Sequence, residues 1–452
     1  MTTFLGSVWW MIVSLGVLVT FHEFGHFWVA RRNGVKVLRF SVGFGRPLWK
    51  RLGRDGTEYV VAALPLGGYV RMLDEREGDV AEHERDAAFN RKSVWQRIAI
   101  VAAGPVANLL LCVALLWAMF VIGRPDYQPL LGQVQGVAAE SGLSPGDTLL
   151  AVGDRATPTW SEASMALVTA AIDRRDVEIR LRTAAGQDAS RTLRLSTLPA
   201  DLDQRRAMQA IGLLPQAFVL PAEVGRVVEG SAAWGVLAEG DRITAIDGAP
   251  VHAFADIRPL VQALGGQGGG GMVEVERDGE RMALEITPTL ATPAGGEAPF
   301  WALGIEPDAG TGALHDATLR HGPLAAIPAA FGETWRLARD TVGMVWRMAS
   351  GRASVENVSG PITIARYANA SANRGAAWFL NFLALLSLSL AIINLLPIPI
   401  LDGGHLLYYL IELVKGSPLS ERAMIAGQYI GLAMLAGLMG LAFYNDILQL
   451  VR

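Results

Sequence analysis

Hydrophobic and polar positions along this chain follow two different periods. On the long scale, four uncharged windows of bilayer length, about 20 residues, run from Thr2 to Phe21, Ile98 to Gly123, Ala376 to Leu401 and Ala423 to Phe443. Each reads as a membrane-spanning helix. On the short scale, Phe40, Val42 and Phe44 alternate with Ser41, Gly43 and Gly45, the period of a strand. Tyr59 to Leu64 and Tyr69 to Met72 add β-branched and aromatic residues, punctuated by Pro65, Gly67 and Gly68. The spacing predicts a small hairpin sheet beside the first span. It either dips into the bilayer, where non-helical backbone needs protein or water around it, or lies on the cytoplasmic surface. Leu73 to Asn90 is charged and reads as a flexible loop with a solvated His83. Between Pro323 and Met348, the residues Phe331, Trp335, Ala338, Val342 and Val345 recur at helical spacing beside Arg336, Arg339 and Arg347. Two readings of that amphipathic helix stand: it lies on the outer membrane face, or it packs as a connector.

A longer self-similarity appears in the polar middle of the chain. Ala138-Ala139, Gly146-Asp147 and Ala151-Val152 recur in the same spacing as Ala232-Ala233, Gly240-Asp241 and Ala245-Ile246. Ile211-Gly-Leu-Leu-Pro215 likewise recurs as Leu303-Gly-Ile-Glu-Pro307. The repeat is the size of a domain rather than of a solenoid unit. Gly-Asp before an apolar run reads as a turn feeding a strand. Two small α+β domains are expected, with a spacer role as the plain reading.

Composition strengthens the membrane reading. Charged residues are 18% of the 452 and the mean hydropathy is +0.31, whereas a soluble globular chain carries about 25%. The net charge of −4 argues against a nucleic-acid partner. The single cysteine, Cys112, reads as a small packing residue. The first window has no basic residue before it and no small-residue cleavage pattern after it, so it reads as a span rather than a signal peptide. Trp9 and Trp10 fit an interfacial belt. Lys and Arg cluster at 31–54 and at Arg91, Lys92 and Arg97, which places that side in the cytoplasm. The polar middle then lies outside the cytoplasm.

Candidate chemistry sits at the end of the first window. His22 and His26 are four apart and share one helix face. Two imidazoles so placed can share a zinc ion, with Glu23 beside them as general base. Ionisable groups in a span are costly and point to function. The third window holds Asn394-Leu-Leu-Pro397-Ile-Pro399-Ile-Leu-Asp402-Gly403-Gly404-His405. Its two prolines break the helix, and Asp402 is expensive at that depth unless it meets a cation. Asp402 is therefore the expected third zinc ligand. Asn394, Pro397 and Pro399 are the candidate substrate contacts. His405 reads as a structural hydrogen-bonding residue, because a catalytic zinc keeps one position for water. Asn108 needs a partner in lipid, and supports the zinc site or bonds to another helix.

These motifs, in order, carry a resemblance. His22-Glu-Phe-Gly-His26, Pro65-Leu-Gly-Gly-Tyr-Val, Gly104-Pro-x-Ala-Asn108, the two repeat units and Leu-Asp402-Gly-Gly-His are similar to those of the site-2 protease family, within it the RseP type (regulator of sigma-E protease). The repeat units resemble bacterial PDZ domains. The resemblance implies an α-helical membrane protein with four transmembrane helices, a membrane-associated β-hairpin sheet and two inserted periplasmic PDZ-like domains. It implies an intramembrane zinc metalloprotease of the bacterial inner membrane, active near the cytoplasmic side and monomeric. The implied substrate is a single-pass membrane protein, a pre-cut anti-sigma factor, with remnant signal peptides as a second class. Relatives often carry a further Asn shortly before the position of Asn394, and Ser389 stands in that region here. The expected order is a first span (1–30), hairpin sheet (31–72), loop (73–96), second span (97–123), two PDZ-like domains (124–218, 219–310), linker helices (311–375), third span (376–410), turn (411–423) and fourth span (424–446). The rival readings are an inactive membrane-anchored PDZ scaffold and a metal transporter, and the latter lacks the inverted repeat of spans.

Overall fold

The structure, a computed structural model, describes residues 2–199, 202, 206–292, 298–308, 315–350 and 360–451. About half the chain is helical. Four described helices are long and apolar enough to cross a membrane: Phe4–Arg32, Val94–Ile122, Ala376–Leu395 and Arg422–Leu448. The chain divides into two compact units, 1–125 with 319–452, and 126–318. Parts of the expected second PDZ-like domain and of the linker, 293–297, 309–314 and 351–359, lie outside the described residues.

The first unit is built on helix α1 (Thr2–Arg32), whose last turn carries Arg31 and Arg32. The chain leaves it at Asn33-Gly34, with Gly34 at φ +69°, a conformation open to glycine. Strand β1 (Val37–Leu52) then pairs antiparallel with β2 (Glu58–Met72). The expected hairpin is present but longer and folded on itself. Residues 37–44 run centrally, pairing Phe40 with Val70 on one side and with Tyr59 on the other. Beyond the bend at Gly43 and Gly45, both at positive φ, Lys50 and Leu52 pair back onto Val60 and Glu58. The strand over 68–72 is thus an edge. Phe27, Ala30, Val35, Val37 and Ile100 form a buried cluster, with Phe40 and Tyr59 against it, that seats the sheet on α1.

The charged loop read as flexible is instead ordered. It forms two 3-10 turns, Glu82–Ala87 and Phe89–Arg91. Backbone bonds tie it to the sheet: Lys36 N–H to Ala87 O, Leu73 N–H to Lys36 O, and Phe89 N–H to Leu73 O at 2.7 Å. Ala88 is fully buried. High charge hid a segment that backbone bonds, the Lys36–Glu84 pair and the packing of Phe89 on the buried cluster hold in place.

Helix α2 (Val94–Ile122) begins at Ser93, which with Gln96 closes a capping box. It starts before the uncharged window because Arg97 lies inside it, buried. Helix α3 (Ala326–Ala349) turns Ala326, Ala330, Glu333, Thr334 and Leu337 inward, with Thr334 Oγ1 at 3.7 Å from Cys112 of α2. Phe331, Trp335, Val342 and Trp346 are exposed. The helix packs as a connector by one face and presents its aromatic face outward. Helix α4 (Pro361–Asn373) is capped by the buried Asp446 of α7 (Glu421–Val451), which accepts from Gly360 N, Ile362 N and Thr363 Oγ1. The third window is one helix, α5 (Ala376–Leu395), followed by a break and helix α6 (Asp402–Lys415).

In the second unit the repeat is visible as architecture. The strands Arg155–Ala156, Thr148–Val152, Val177–Arg182 and Asp188–Leu193 form a four-stranded antiparallel sheet in that order. Ala249–Pro250, Arg242–Ile246, Gly271–Arg277 and Glu280–Ile286 repeat the order. The helices Trp160–Ile172 and Phe254–Gly266 cover the two sheets, and each half has its own apolar core. The Gly-Asp turns do the same work in both: Asp147 accepts from Ser144 N–H and Asp241 from Ala238 N–H.

Candidate active site

Three of the sequence-predicted residues meet in space. His22 Nε2 lies 3.2 Å and His26 Nε2 3.5 Å from Asp402 Oδ2, and the two Nε2 atoms are 3.3 Å apart. Both histidines are buried. The helical period of α1 brings the two rings together; the third group arrives from far along the chain through the proline break.

That break follows from residue chemistry. Leu396, before Pro397, is extended at φ −63° and ψ 145°, as a residue preceding proline prefers. The chain turns through Ile398 to Leu401, and Asp402 opens α6. Gly403 and Gly404 are needed here: a Cβ on Gly403 would stand 2.2 Å from Leu396 O, and one on Gly404 2.4 Å from Ile398 O. The loop therefore folds back on the first turn of α6, and the helix N-terminus favours a carboxylate at that point. Arg97 of α2 makes a bidentate pair with Glu412 at 2.7 and 3.2 Å and stacks over Tyr409, fixing the far end of α6.

The opposite nitrogens of the imidazoles are also engaged. His26 Nδ1 lies 2.9 Å from Ile100 O, so it carries the proton and Nε2 presents a lone pair. His22 Nδ1 lies 3.3 Å from the Asn108 amide. Asn108 is fully buried, with Nδ2 toward that ring nitrogen and Oδ1 without a partner. Turned over so that Oδ1 rather than Nδ2 faces Nδ1, the same amide satisfies its own oxygen with His22 Nδ1–H and leaves Nε2 of His22 to present a lone pair. Ser387 of α5 donates to Asn108 O at 2.7 Å. The Asn108 side chain thus meets His22 across the helix pair, and its backbone carbonyl joins α2 to α5. Asp402 Oδ2 is buried with no hydrogen-bond donor. Two imidazole lone pairs and one orphan carboxylate oxygen facing a common point fit a cation, and the donor set suits zinc.

Glu23 stands beside this cluster. The edge strand lies against it: a Cβ on Gly68 would be 3.2 Å from its Cγ, and Val70 lines a common cavity with it. Glu23, His26, Val70, Asp402, His405 and Tyr408 line a cavity of about 850 Å³. His405 faces that cavity but is not among the three convergent ligand atoms. Asn394 and Pro399 are half-buried and Pro397 is exposed. The structure adds one residue whose role the sequence showed only as smallness: a Cβ on Gly104 would lie 2.2 Å from His26 Nε2.

Comparison with known proteins agrees with this chemistry. The model of Peptidase family M50 matches residues 10–438. A protein called putative zinc metalloprotease from Xylella fastidiosa (strain 9a5c) is 55% identical over 99% of this chain and 100% of its own. Regulator of sigma-E protease RseP from Escherichia coli (strain K12) is 41% identical over 100% of both chains. Its namesake in Salmonella typhimurium (strain 14028s) is 41% identical over 97% of this chain and 98% of its own. With a buried two-histidine, one-carboxylate cluster and matches of this extent, the chain belongs to peptidase family M50, the site-2 protease family, and is a zinc metalloprotease.

Proposed function

We propose that this enzyme hydrolyses a peptide bond within the membrane-spanning segment of a single-pass protein. The observation that carries the reading is an orphan carboxylate oxygen of Asp402, 3.2 and 3.5 Å from two imidazole Nε2 atoms, beside a glutamate on a helix of bilayer-spanning length. His22, His26 and Asp402 would be the protein ligands of zinc, a set of three that leaves a position open. When bound, zinc supplies Lewis acidity, polarising a carbonyl and acidifying water. Glu23, beside the edge strand at Gly68, takes a proton from the attacking water and passes it to the leaving amine. Asn108 and the Ile100 carbonyl hold the imidazoles in the ligating tautomer.

A helical substrate hides its carbonyls, so it must unwind before it is cut. The edge strand over 68–72 passes Glu23 at Gly68 and lines the same cavity, and a substrate strand added there would be held extended. Asn394, Pro397 and Pro399 complete the substrate side of the site.

The two repeat units, 124–218 and 219–310, are read as PDZ-like domains. Support comes from their identical sheet order and their Gly-Asp turns. Basic residues around α1 and the start of α2 favour a cytoplasmic location for that end of the site, with the PDZ-like pair in the periplasm and the spans in the bacterial inner membrane. There the pair would bind peptide ends or exclude large ectodomains. The names of the relatives favour an anti-sigma factor as substrate in envelope stress, with remnant signal peptides as a second class. An inactive scaffold would leave the buried cluster without a purpose.

Metal analysis of the purified protein beside its Glu23→Gln and Asp402→Asn forms, with cleavage of a helical membrane peptide, tests the reading. Glu23→Gln should keep zinc and lose turnover; Asp402→Asn should lose zinc. Zinc retained in Asp402→Asn removes the third ligand, and chelator-resistant cleavage removes the metal from the reaction.

A further inference from the structure

A second cavity lies between α1 and α2, outside the site just described. It is an open cleft of about 600 Å³ with apolar walls: Phe21, Phe24 and Trp28 on α1 face Ala102, Val106 and Leu110 on α2. Lining residues on α2 run from Ala99 to Ala114, about 22 Å at helical rise. That exceeds the roughly 15 Å that one leaflet contributes to a hydrocarbon core. Small residues on α2 against large aromatic ones on α1 make a slot rather than a flat face.

One end of the slot is charged. Arg32 stacks over Trp28, itself a wall of the cleft, with its guanidinium carbon 5.0 Å from the ring centroid. Lys92, just before α2, brings its Nζ to the turn that ends α1, 3.4 Å from where a Cβ on Gly34 would stand. Among the described residues neither cation is in an ion pair, whereas the neighbouring Arg31 is neutralised by Asp55 and Arg97 by Glu412. The exposed Trp95 sits one turn before Ala99 on the same face. An apolar slot of leaflet depth, closed at one end by two free cations and interfacial tryptophans, is complementary to an acyl chain with an anionic head.

We propose that this cleft is a binding site for an anionic phospholipid, with one acyl chain between α1 and α2 and the phosphate at Arg32 and Lys92. Its floor is the helix crossing that carries the histidines: Gly25, which lines the cleft, abuts Ala103 O, and the next residue, Gly104, abuts His26. A lipid there braces the crossing. The inference rests on α1 and α2 lying in a bilayer and not on the catalytic roles proposed above.

Native mass spectrometry of the full-length protein in detergent tests it, titrating palmitoyl-oleoyl phosphatidylglycerol against palmitoyl-oleoyl phosphatidylcholine. The wild type should retain phosphatidylglycerol preferentially. Arg32→Gln and Lys92→Gln should each weaken that retention about fivefold, and the pair about 25-fold; both side chains are surface groups whose loss leaves the fold intact. Ala102→Phe, which fills the slot, should release phosphatidylglycerol with both cations in place. Equal retention of the two lipids, or a preference unchanged in the double variant, overturns the site. So does a photo-crosslinker at residue 102 that captures a substrate peptide in place of lipid. A protein that stays monodisperse without detergent would overturn the bilayer premise itself, whatever zinc and turnover show.

Discussion

Gly104 has no room for a methyl group, because a Cβ there would stand 2.2 Å from Nε2 of His26, the atom that faces Asp402. The tight passage of α2 past α1 is therefore what sets the imidazole in place. Gly25 makes the same demand from the other helix, 2.3 Å from Ala103 O. Gly104→Ala should force the helices apart, at about 1–3 kcal/mol of overpacking, and lower bound zinc in the purified protein. Full zinc occupancy in that variant would show that the crossing tolerates a methyl group.

Asn108 should matter through the tautomer of His22. Asn108→Leu removes the acceptor for Nδ1–H and should weaken zinc affinity about 10–100-fold. Asn108→Asp keeps an acceptor and should lose less. Zinc titration of the two variants against a competing chelator reads the difference.

The Arg97–Glu412 pair joins residues 315 apart in sequence and is almost wholly buried. Removing one partner strands the other. Arg97→Met alone should cost about 3–5 kcal/mol, and Arg97→Met with Glu412→Leu should recover much of it. A double-mutant cycle in thermal melting of the detergent-solubilised protein measures the coupling. Because Glu412 and Asp402 share α6, the single variant should also lower zinc occupancy.

Acid should weaken the second unit through Asp241. Burial raises this carboxyl's pKa, but the Arg277 guanidinium at 2.6 and 2.7 Å and the Ala238 N–H outweigh it, leaving the pKa below its usual 3.8. The folded state thus binds the proton less readily than the unfolded one. The contribution is complete above about pH 5 and fades as pH falls through 3.8 and below. Asp241→Asn should melt earlier at neutral pH and lose part of the acid dependence, read by melting curves between pH 3 and 7.

The parts of the site that sequence made legible are those whose chemistry is local or costly. His22 and His26 declare themselves by a four-residue step, and Asp402 by a charge in an apolar window broken by two prolines. The features it hid depend on distant partners. Nothing in the run around Arg97 names Glu412, and the charge there made α2 look shorter than it is. Asp446 gives no sign that it caps α4, because the capped helix lies far earlier in the chain. The loop over 73–90 looked mobile because its side chains are polar, while its backbone bonds are invisible to composition. Gly104 showed only as a small residue; that it makes way for an imidazole is a fact of two helices together.

The edge formed by residues 68–72 offers main-chain donors and acceptors, and such groups are indifferent to the letters of the strand they meet. Under the proposed function, choice of cut site would then pass to whatever lets a membrane helix come apart. Glycine loosens a helix by about 1 kcal/mol and proline by about 3 kcal/mol. An enzyme with this border would rank its targets by fragility and leave their identity to be checked elsewhere on the chain.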